Sequence, residues 1–189
     1  MERDSMAMKM KTGAMRSGQQ RGMSLIELMV ALTVLMIGVT GCVVVIPFAT
    51  QNDFRSKQQS NSTVISQMVM EKIMSVPAGT SPTLQLADCV GNNPNINTTG
   101  SVGGTGAALA SSGDVDFTQT QASAGAGYYM SWTTCGSAGQ TSTYDVRWNI
   151  KSPDSQVKII TVSARLQRTG VGITFAPPST IRSVLGPWS

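Results

Sequence analysis

The chain has 189 residues, of which 13% are charged, about half the share that is usual for a soluble globular protein. It contains no histidine, which excludes serine–histidine and cysteine–histidine catalytic pairs and removes the commonest metal ligand in proteins. Residues 1–22 hold five basic and two acidic side chains, so most of the formal net charge of +4 belongs to this short head. The nearly neutral remainder argues against a nucleic-acid-binding body, which would show a basic face.

The segment from Leu28 to Thr50 follows this head and contains no charged side chain. About 20 apolar residues suffice for a helix to cross the hydrocarbon core of a bilayer. A cleaved secretory signal would have a shorter apolar region and then a polar mature chain. The five basic residues before the run favour a cytoplasmic N-terminus. We therefore predict a single-pass inner-membrane anchor, with the chain after Asn52 on the periplasmic side.

Glu27 places a carboxylate at the start of this apolar segment. Such a group costs about 2.5–3.5 kcal/mol at the centre of a membrane helix and less near the interface. One interpretation puts Glu27 at the headgroup level, where it interacts favourably with the helix dipole. The other gives it a cationic partner inside an assembly. Its position alone leaves both open.

A short motif surrounds this glutamate: Gly22, Met23, Ser24, the apolar pair Leu25–Ile26 and Glu27 stand in register before the apolar run. It resembles the N-terminal signature of type IV prepilins and of the related pseudopilins of type II secretion. In that family a basic leader ends in glycine, and an aromatic residue or methionine, a small hydroxyl residue, two apolar residues and a glutamate follow. Met23 departs from the usual phenylalanine, although methionine is a tolerated variant.

The resemblance implies specific processing. A prepilin peptidase would cleave between Gly22 and Met23 and methylate the new amino group of Met23. Glu27 would then pair with the terminal ammonium group of a neighbouring subunit, which would explain a carboxylate in a membrane helix. Such pairing would make incorporation into a filament depend on the register of neighbouring subunits.

Another motif offers an alternative anchor. The sequence VTGC, from Val39 to Cys42, fits a bacterial lipobox, in which Cys42 would be lipidated and become the mature N-terminus. Two features count against this interpretation. The apolar run continues beyond Cys42, which a lipid-anchored protein does not need, and Glu27 interrupts the apolar core of the signal.

An amphipathic pattern continues the helix beyond the membrane, because apolar side chains recur at helical spacing. These side chains are Ile65, Met68, Val69 and Ile73. Pro77 and Gly79 should end the helix, which would span Ser24 to Val76. Pro47 should kink it, with Gly38 and Gly41 upstream weakening it further. The family resemblance implies that this section unwinds on assembly.

The remainder predicts a loop-rich segment followed by a sheet. Residues 77–127 are rich in Gly, Ser, Thr and Asn, which is typical of turns and surface rather than core. Residues 144–150 and 157–166 alternate apolar and polar side chains, and the KSPDSQ sequence between them supplies the turn of a hairpin. Residues 127–135 would add a strand, and Asp116–Thr118 would be a further candidate. The apolar face of the sheet should pack on the outer half of the helix.

The predicted fold class is therefore α+β: a long N-terminal transmembrane helix whose outer half packs on a small C-terminal antiparallel sheet, as in pilins. The predicted segments are a cleaved leader (1–22), a transmembrane or filament-core helix (23–52), an outer helix (53–76), a loop region (77–127) and a sheet head (128–189). The strand pattern of the head also resembles that of minor pilins of the PilV type.

Cys89 and Cys135 both lie in the exported part of the predicted topology, where an oxidising compartment favours a disulfide. Two cysteines without histidine are too few for a structural metal site. Asp114 and Asp116 fit either a polar turn or a weak calcium site. Trp188, near the C-terminus, fits either packing on the sheet or a surface contact.

These features predict a subunit that assembles and does not catalyse, without a cofactor and without direct binding of nucleic acid. The chain has no GK[ST] phosphate-binding loop. The family resemblance implies a minor pilin of a type IV pilus, moving from the inner membrane to an extracellular filament. Its partners would be the prepilin peptidase, other pilins and the pilus assembly machinery. The alternatives are a type II secretion pseudopilin and a lipoprotein lipidated at Cys42 with a surface-binding domain.

Overall fold

The structure is a computed structural model that describes residues 23–167 and 176–186. The longest element is the helix α1, which spans Leu25–Met74 and therefore ends within two residues of the predicted position. The chain divides into two compact units at the Ile46–Pro47 peptide bond, inside this helix. The two units are described separately.

In the first unit, the helical residues from Leu25 to Ile46 are all exposed. Within the described part of the chain, α1 is the one helix that is both long and apolar enough to cross a membrane. Hydroxyl groups inside it are satisfied locally: Thr33 Oγ1 donates to the carbonyl oxygen of Val30 and Thr40 Oγ1 to that of Met36, each at 2.8 Å. Such back-bonding suits a helix in lipid, where water cannot serve as a partner.

Pro47 opens the second unit and lies inside the helix, which also continues through Gly38 and Gly41. Proline has no backbone N–H and removes one helical hydrogen bond at this point. Three residues later, the Thr50 hydroxyl donates to the Pro47 carbonyl oxygen at 2.9 Å. Unwinding of this section on assembly stays a prediction.

The outer part of α1 buries one face, but not quite the predicted one. Ile65, Val69 and Ile73 are buried as expected, whereas Met68 is 39% exposed and Met70 takes a buried position. The other buried positions of this face are polar: Gln58, Ser62 and Ser66. The prediction for Met68 was wrong because a search for apolar spacing overlooks small polar residues that complete a buried face.

The main sheet has five antiparallel strands. They are β3 (Thr105–Gly106), β4 (Tyr129–Cys135), β5 (Thr141–Asp154), β6 (Val157–Leu166) and β7 (Ser179–Leu185). The central order is β3-β5-β6-β7, and β4 pairs with the first half of β5. A second sheet pairs β1 (Thr83–Gln85) with β2 (Asn95–Asn97). Short 3₁₀ helices span Gln121–Ala124 and Ser137–Gly139.

The β5–β6 hairpin confirms the prediction from alternation, with the turn at residues 155 and 156. Its apolar face forms one core with the buried face of α1. The hairpin residues in this core are Tyr144, Val146, Trp148, Ile150, Ile160, Val162 and Ala164. The structure is thus α+β, with the outer part of the long helix packed against a small antiparallel sheet.

The opposite face of β5 is buried as well, although its side chains are polar. Asp145, Arg147 and Asn149 are all buried, because the chain between β3 and β4 folds over them. Asn149 Nδ2 donates to the carbonyl oxygen of Ala107 at 2.9 Å. The sheet is therefore covered on both sides at its centre.

Two predictions for residues 77–127 were wrong. The segment contributes to the core through Ile96, Ala107 and Val115, so it is not surface alone. Asp116–Thr118 is not a strand: Asp116 lies outside the strands and residues 117 and 118 form a turn. The Asp116 carboxylate accepts hydrogen bonds from both the backbone N–H and the hydroxyl of Thr118, which favours a turn over an extended strand.

Candidate processing and assembly site

The predicted cleavage position lies at the edge of the described residues. Gly22 is outside them, whereas Met23 and Ser24 precede the helix and are non-helical. The Ser24 carbonyl oxygen accepts from the backbone N–H groups of Glu27, at 2.9 Å, and Leu28, at 3.1 Å. Met23 is 69% exposed. The chain therefore turns helical just after the residue that would become the mature N-terminus.

Glu27 lies in the first turn of α1 and is exposed. Its neighbours Leu25, Ile26 and Leu28 are large, apolar and also exposed. Among the described residues Glu27 takes part in no ion pair. The carboxylate is thus presented from an apolar surface, at a helix end where the dipole favours negative charge.

Exposed apolar side chains continue on every face of the helix from Leu25 to Phe48. A helix that is apolar all round is normally buried, either in lipid or among other helices. Cys42 lies in this stretch as an exposed free cysteine. The surface is suited to a membrane and to close packing with further helices.

The second unit contains the predicted disulfide between Cys89 and Cys135, which joins residues 46 positions apart. It links the loop after β1 to the end of β4. Asp88, next to Cys89, strengthens this link, because its carboxylate accepts from the backbone N–H of Thr133 in β4 at 3.2 Å. Burial raises the pKa of Asp88, but hydrogen bonds from Asn92, Thr133 and Val90 outweigh it and lower the pKa below its ordinary value.

Asp114 and Asp116 have different partners. Asp114 accepts from the Ser112 hydroxyl and lies 3.8 Å from the guanidinium group of Arg182, whereas Asp116 accepts from Thr118. In the described ranges, no three side chains of His, Cys, Asp or Glu come together as metal ligands. The geometry is that of a polar turn. Trp188 lies outside the described residues.

Sequence reasoning missed a charged cluster on the sheet face opposite the core that the hairpin shares with α1. Arg147 Nη2 lies 2.7 Å and Arg165 Nη2 3.3 Å from the same carboxylate oxygen of Asp145. Both guanidinium groups lie against the ring of Phe117, with their central carbons 4.9 Å and 4.4 Å from its centroid. The sequence did contain a sign of this cluster, because Asp145 and Arg147 alternate with apolar residues in β5. Such alternation, however, normally indicates that the polar face is exposed to solvent.

Comparison with known proteins finds a match for the N-terminal segment. A family model described as the prokaryotic N-terminal methylation motif matches residues 18–43. Neither the curated proteins nor the solved structures include a match to this chain. The match covers the residues singled out above, from Gly22 to Glu27, and the apolar helix that follows them as far as Val43. This chain therefore carries the signature of type IV prepilins at its N-terminus.

Proposed function

We propose that this chain is a minor pilin of a type IV pilus. It is held in the inner membrane with its N-terminus in the cytoplasm, is cut by a prepilin peptidase and joins an extracellular filament through its N-terminal helix. The observation that carries the proposal is the methylation motif at residues 18–43, continuous with a helix that exposes apolar side chains on all faces. The role is assembly, and it requires no catalytic group in this chain.

Processing would remove the basic head. Hydrolysis of the Gly22–Met23 peptide bond leaves a carboxylate on Gly22 and an ammonium group on Met23. After this group loses a proton, the peptidase transfers a methyl group to its nitrogen from a methyl-donor cosubstrate. The non-helical backbone at Met23 and Ser24 supports this step, because a segment outside a helix fits a protease cleft more readily than a helix does. Removal of the leader also takes away the five basic side chains of residues 1–22.

Assembly would use the Glu27 carboxylate. In an apolar filament core an unpaired carboxylate is costly, so a neighbouring subunit is favoured when the ammonium group of its Met23 lies against Glu27. The contact is heterologous, because different surfaces of the two subunits meet, and repetition gives an open helical polymer. The inner-membrane assembly machinery supplies the work of extension.

The proposal is tested by Glu27→Gln, with Glu71→Gln as the matched control on the exposed part of α1 in the second unit. We expect incorporation of Glu27→Gln into sheared filaments to fall at least about tenfold, equivalent to about 1.4 kcal/mol. The control should incorporate normally, and both variants should reach the membrane in equal amounts. Normal incorporation of Glu27→Gln would contradict the pairing.

Mass spectrometry of the mature chain separates the rival functions. An N-methylated Met23 at the N-terminus supports a pilin or pseudopilin, whereas an acylated Cys42 would establish the lipoprotein instead. The type II secretion pseudopilin shares the motif, so it is separated by genetics. Deletion of the gene should impair surface pili in the first case and secretion of folded proteins in the second.

A further inference from the structure

A groove of about 250 Å³ lies beside the disulfide, within the second unit. One wall belongs to the outer part of α1 and includes Val64 and Met68, and the other includes Trp132 of β4 and both half-cystines. The volume lies below the range of about 300–1,000 Å³ that is typical of small-molecule sites. The groove is therefore better suited to side chains of another protein than to a small ligand.

The α1 wall of the groove presents apolar side chains to solvent. Val64 is 50% and Met68 39% exposed, although both are apolar. Ile65 and Trp132, which also line the groove, are buried in the core. Exposed apolar residues beside a concave surface are typical of contacts with other proteins.

The other wall contains a group that can react. Cys89, in the loop after β1, and Cys135, at the end of β4, are both exposed. Thiol–disulfide exchange requires that a thiolate reach one of the two sulfur atoms. A protein seated in the groove would lie against this bond. The wall thus specifies the chemistry of the partner, which is a protein that carries a reactive pair of thiols.

The loop that carries Cys89 is held on β4 by a second link, which is not covalent. The Asp88 carboxylate is buried and accepts from the backbone N–H of Thr133 in β4 at 3.2 Å. The same carboxylate accepts from the backbone N–H groups of Val90, at 3.1 Å, and Asn92, at 2.8 Å, which fixes the loop around it. When the disulfide opens, these bonds keep the loop on β4, so the two thiols stay close enough to pair again.

We propose that Cys89 and Cys135 form a reversible redox couple, and that the groove between α1 and β4 docks the dithiol protein that exchanges with it. In the reductive direction, a thiolate of the partner attacks one sulfur of the pair and forms a mixed disulfide. The other cysteine leaves as a thiolate and takes up a proton. The second thiolate of the partner then attacks the mixed disulfide and releases the first cysteine, which is protonated in turn. The partner ends as a disulfide and has passed two electrons to this pair.

The test uses the full chain in detergent micelles with Cys42→Ser, so that every free thiol reports on this pair. Reduced thioredoxin is the probe for a dithiol protein, and dithiothreitol is the probe for a small dithiol. Alkylation followed by mass spectrometry measures the rate at which each reductant opens the bond. We expect thioredoxin to open it without denaturant, and the reduced chain should still unfold in a cooperative thermal transition.

Val64→Gln combined with Met68→Gln makes the groove polar at its two exposed apolar positions. This variant should lower the rate constant for thioredoxin at least about tenfold, because docking buries both side chains. It should change the rate with dithiothreitol by less than about twofold, because a small dithiol needs no groove. The matched control is Val102→Gln combined with Val184→Gln, which changes two exposed valines outside the lining and should leave both rates unchanged.

Thermal unfolding verifies that both double variants are folded. The proposal is overturned if thioredoxin opens the bond only in urea, or if reduction abolishes the cooperative transition. It is also overturned if the groove variant reacts with thioredoxin at the unaltered rate, if it loses as much rate with dithiothreitol, or if the control variant loses as much as the groove variant. None of these outcomes bears on cleavage after Gly22 or on filament assembly.

Discussion

One helix runs through two very different environments in this protein. From Leu25 to Ile46 every position of α1 is exposed and nearly every side chain is apolar, whereas from Gln58 to Ile73 one face is buried against a sheet. The second part is stabilised by a core within its own chain. The first part has no such cover in the described structure, and a helix surface that is apolar all round is normally buried in lipid or among other helices. The difference shows that secondary structure alone does not reveal what stabilises a segment.

The largest expected effect comes from the core of the second unit. Trp148 is fully buried, and its indole N–H donates to the carbonyl oxygen of Asn97 at 3.1 Å. Trp148→Ala should lower the free energy of unfolding of the head by about 3–5 kcal/mol. Leu35→Ala, at an exposed position of the first unit, should leave it unchanged. Urea titration of both full-length variants, followed by the tryptophan fluorescence that each retains, measures the difference in the free energy of unfolding, and equal losses would refute the prediction.

A smaller effect should separate the two sides of the outer helix. Ser66 is fully buried, and its hydroxyl donates to the carbonyl oxygen of Ser179 at 3.3 Å. Ser66→Leu forces extra volume into this contact and should cost about 1–3 kcal/mol. Met68→Ala, at the exposed position, should change the free energy of unfolding by less than about 0.5 kcal/mol. The same urea titration applies, and a greater loss for Met68→Ala would restore the original prediction for the helix face.

The smallest effect concerns pH and is confined to the second unit. The pKa of Asp88 is lowered in the folded state from its ordinary value of 3.8, so its ionised form stabilises the fold. This contribution is present in full above the unfolded pKa and is lost as pH falls through the folded pKa. Asp88→Asn should therefore flatten the decline in thermal stability below about pH 4. If the thermal stability of Asp88→Asn declines with falling pH as steeply as that of the unmodified chain, other carboxylates cause the decline.

Much of this architecture was predictable, because the signals are local. The register of Gly22, Met23 and Glu27 is a property of adjacent residues, as is the alternation that predicted the β5–β6 hairpin. The bounds of α1 followed from a continuous apolar run and from Pro77. In these cases the physical cause and the sequence pattern occupy the same short stretch.

The failures concern contacts between distant residues. Alternation in β5 indicates two faces, but not that the chain from 105 to 121 covers the polar one. The glycines of that chain were interpreted as signs of turns and surface. Gly106 instead allows close approach, because a Cβ atom there would collide with the carbonyl oxygen of Trp148. The strand β7 was included in the predicted sheet head but was not identified individually.

The charged cluster shows the same limit. Asp145, Arg147 and Arg165 come from two strands, and Phe117 from a turn. The register that places Asp145 opposite Arg165 was implicit in the hairpin, but the arrival of Phe117 was not. A polar side chain in a strand can therefore be assigned to a face from sequence, while its burial depends on a segment that is distant along the chain.

For a subunit of the proposed filament, the disulfide has a mechanical consequence. When the head is pulled between α1 and β5, tension crosses directly from Cys89 to Cys135 and bypasses the residues between them. A stretched chain extends by about 3.3–3.6 Å per residue, so roughly 150 Å of slack stays locked in the closed loop. Under load the covalent link shields β2, β3 and β4 from unravelling and limits how far the subunit can lengthen.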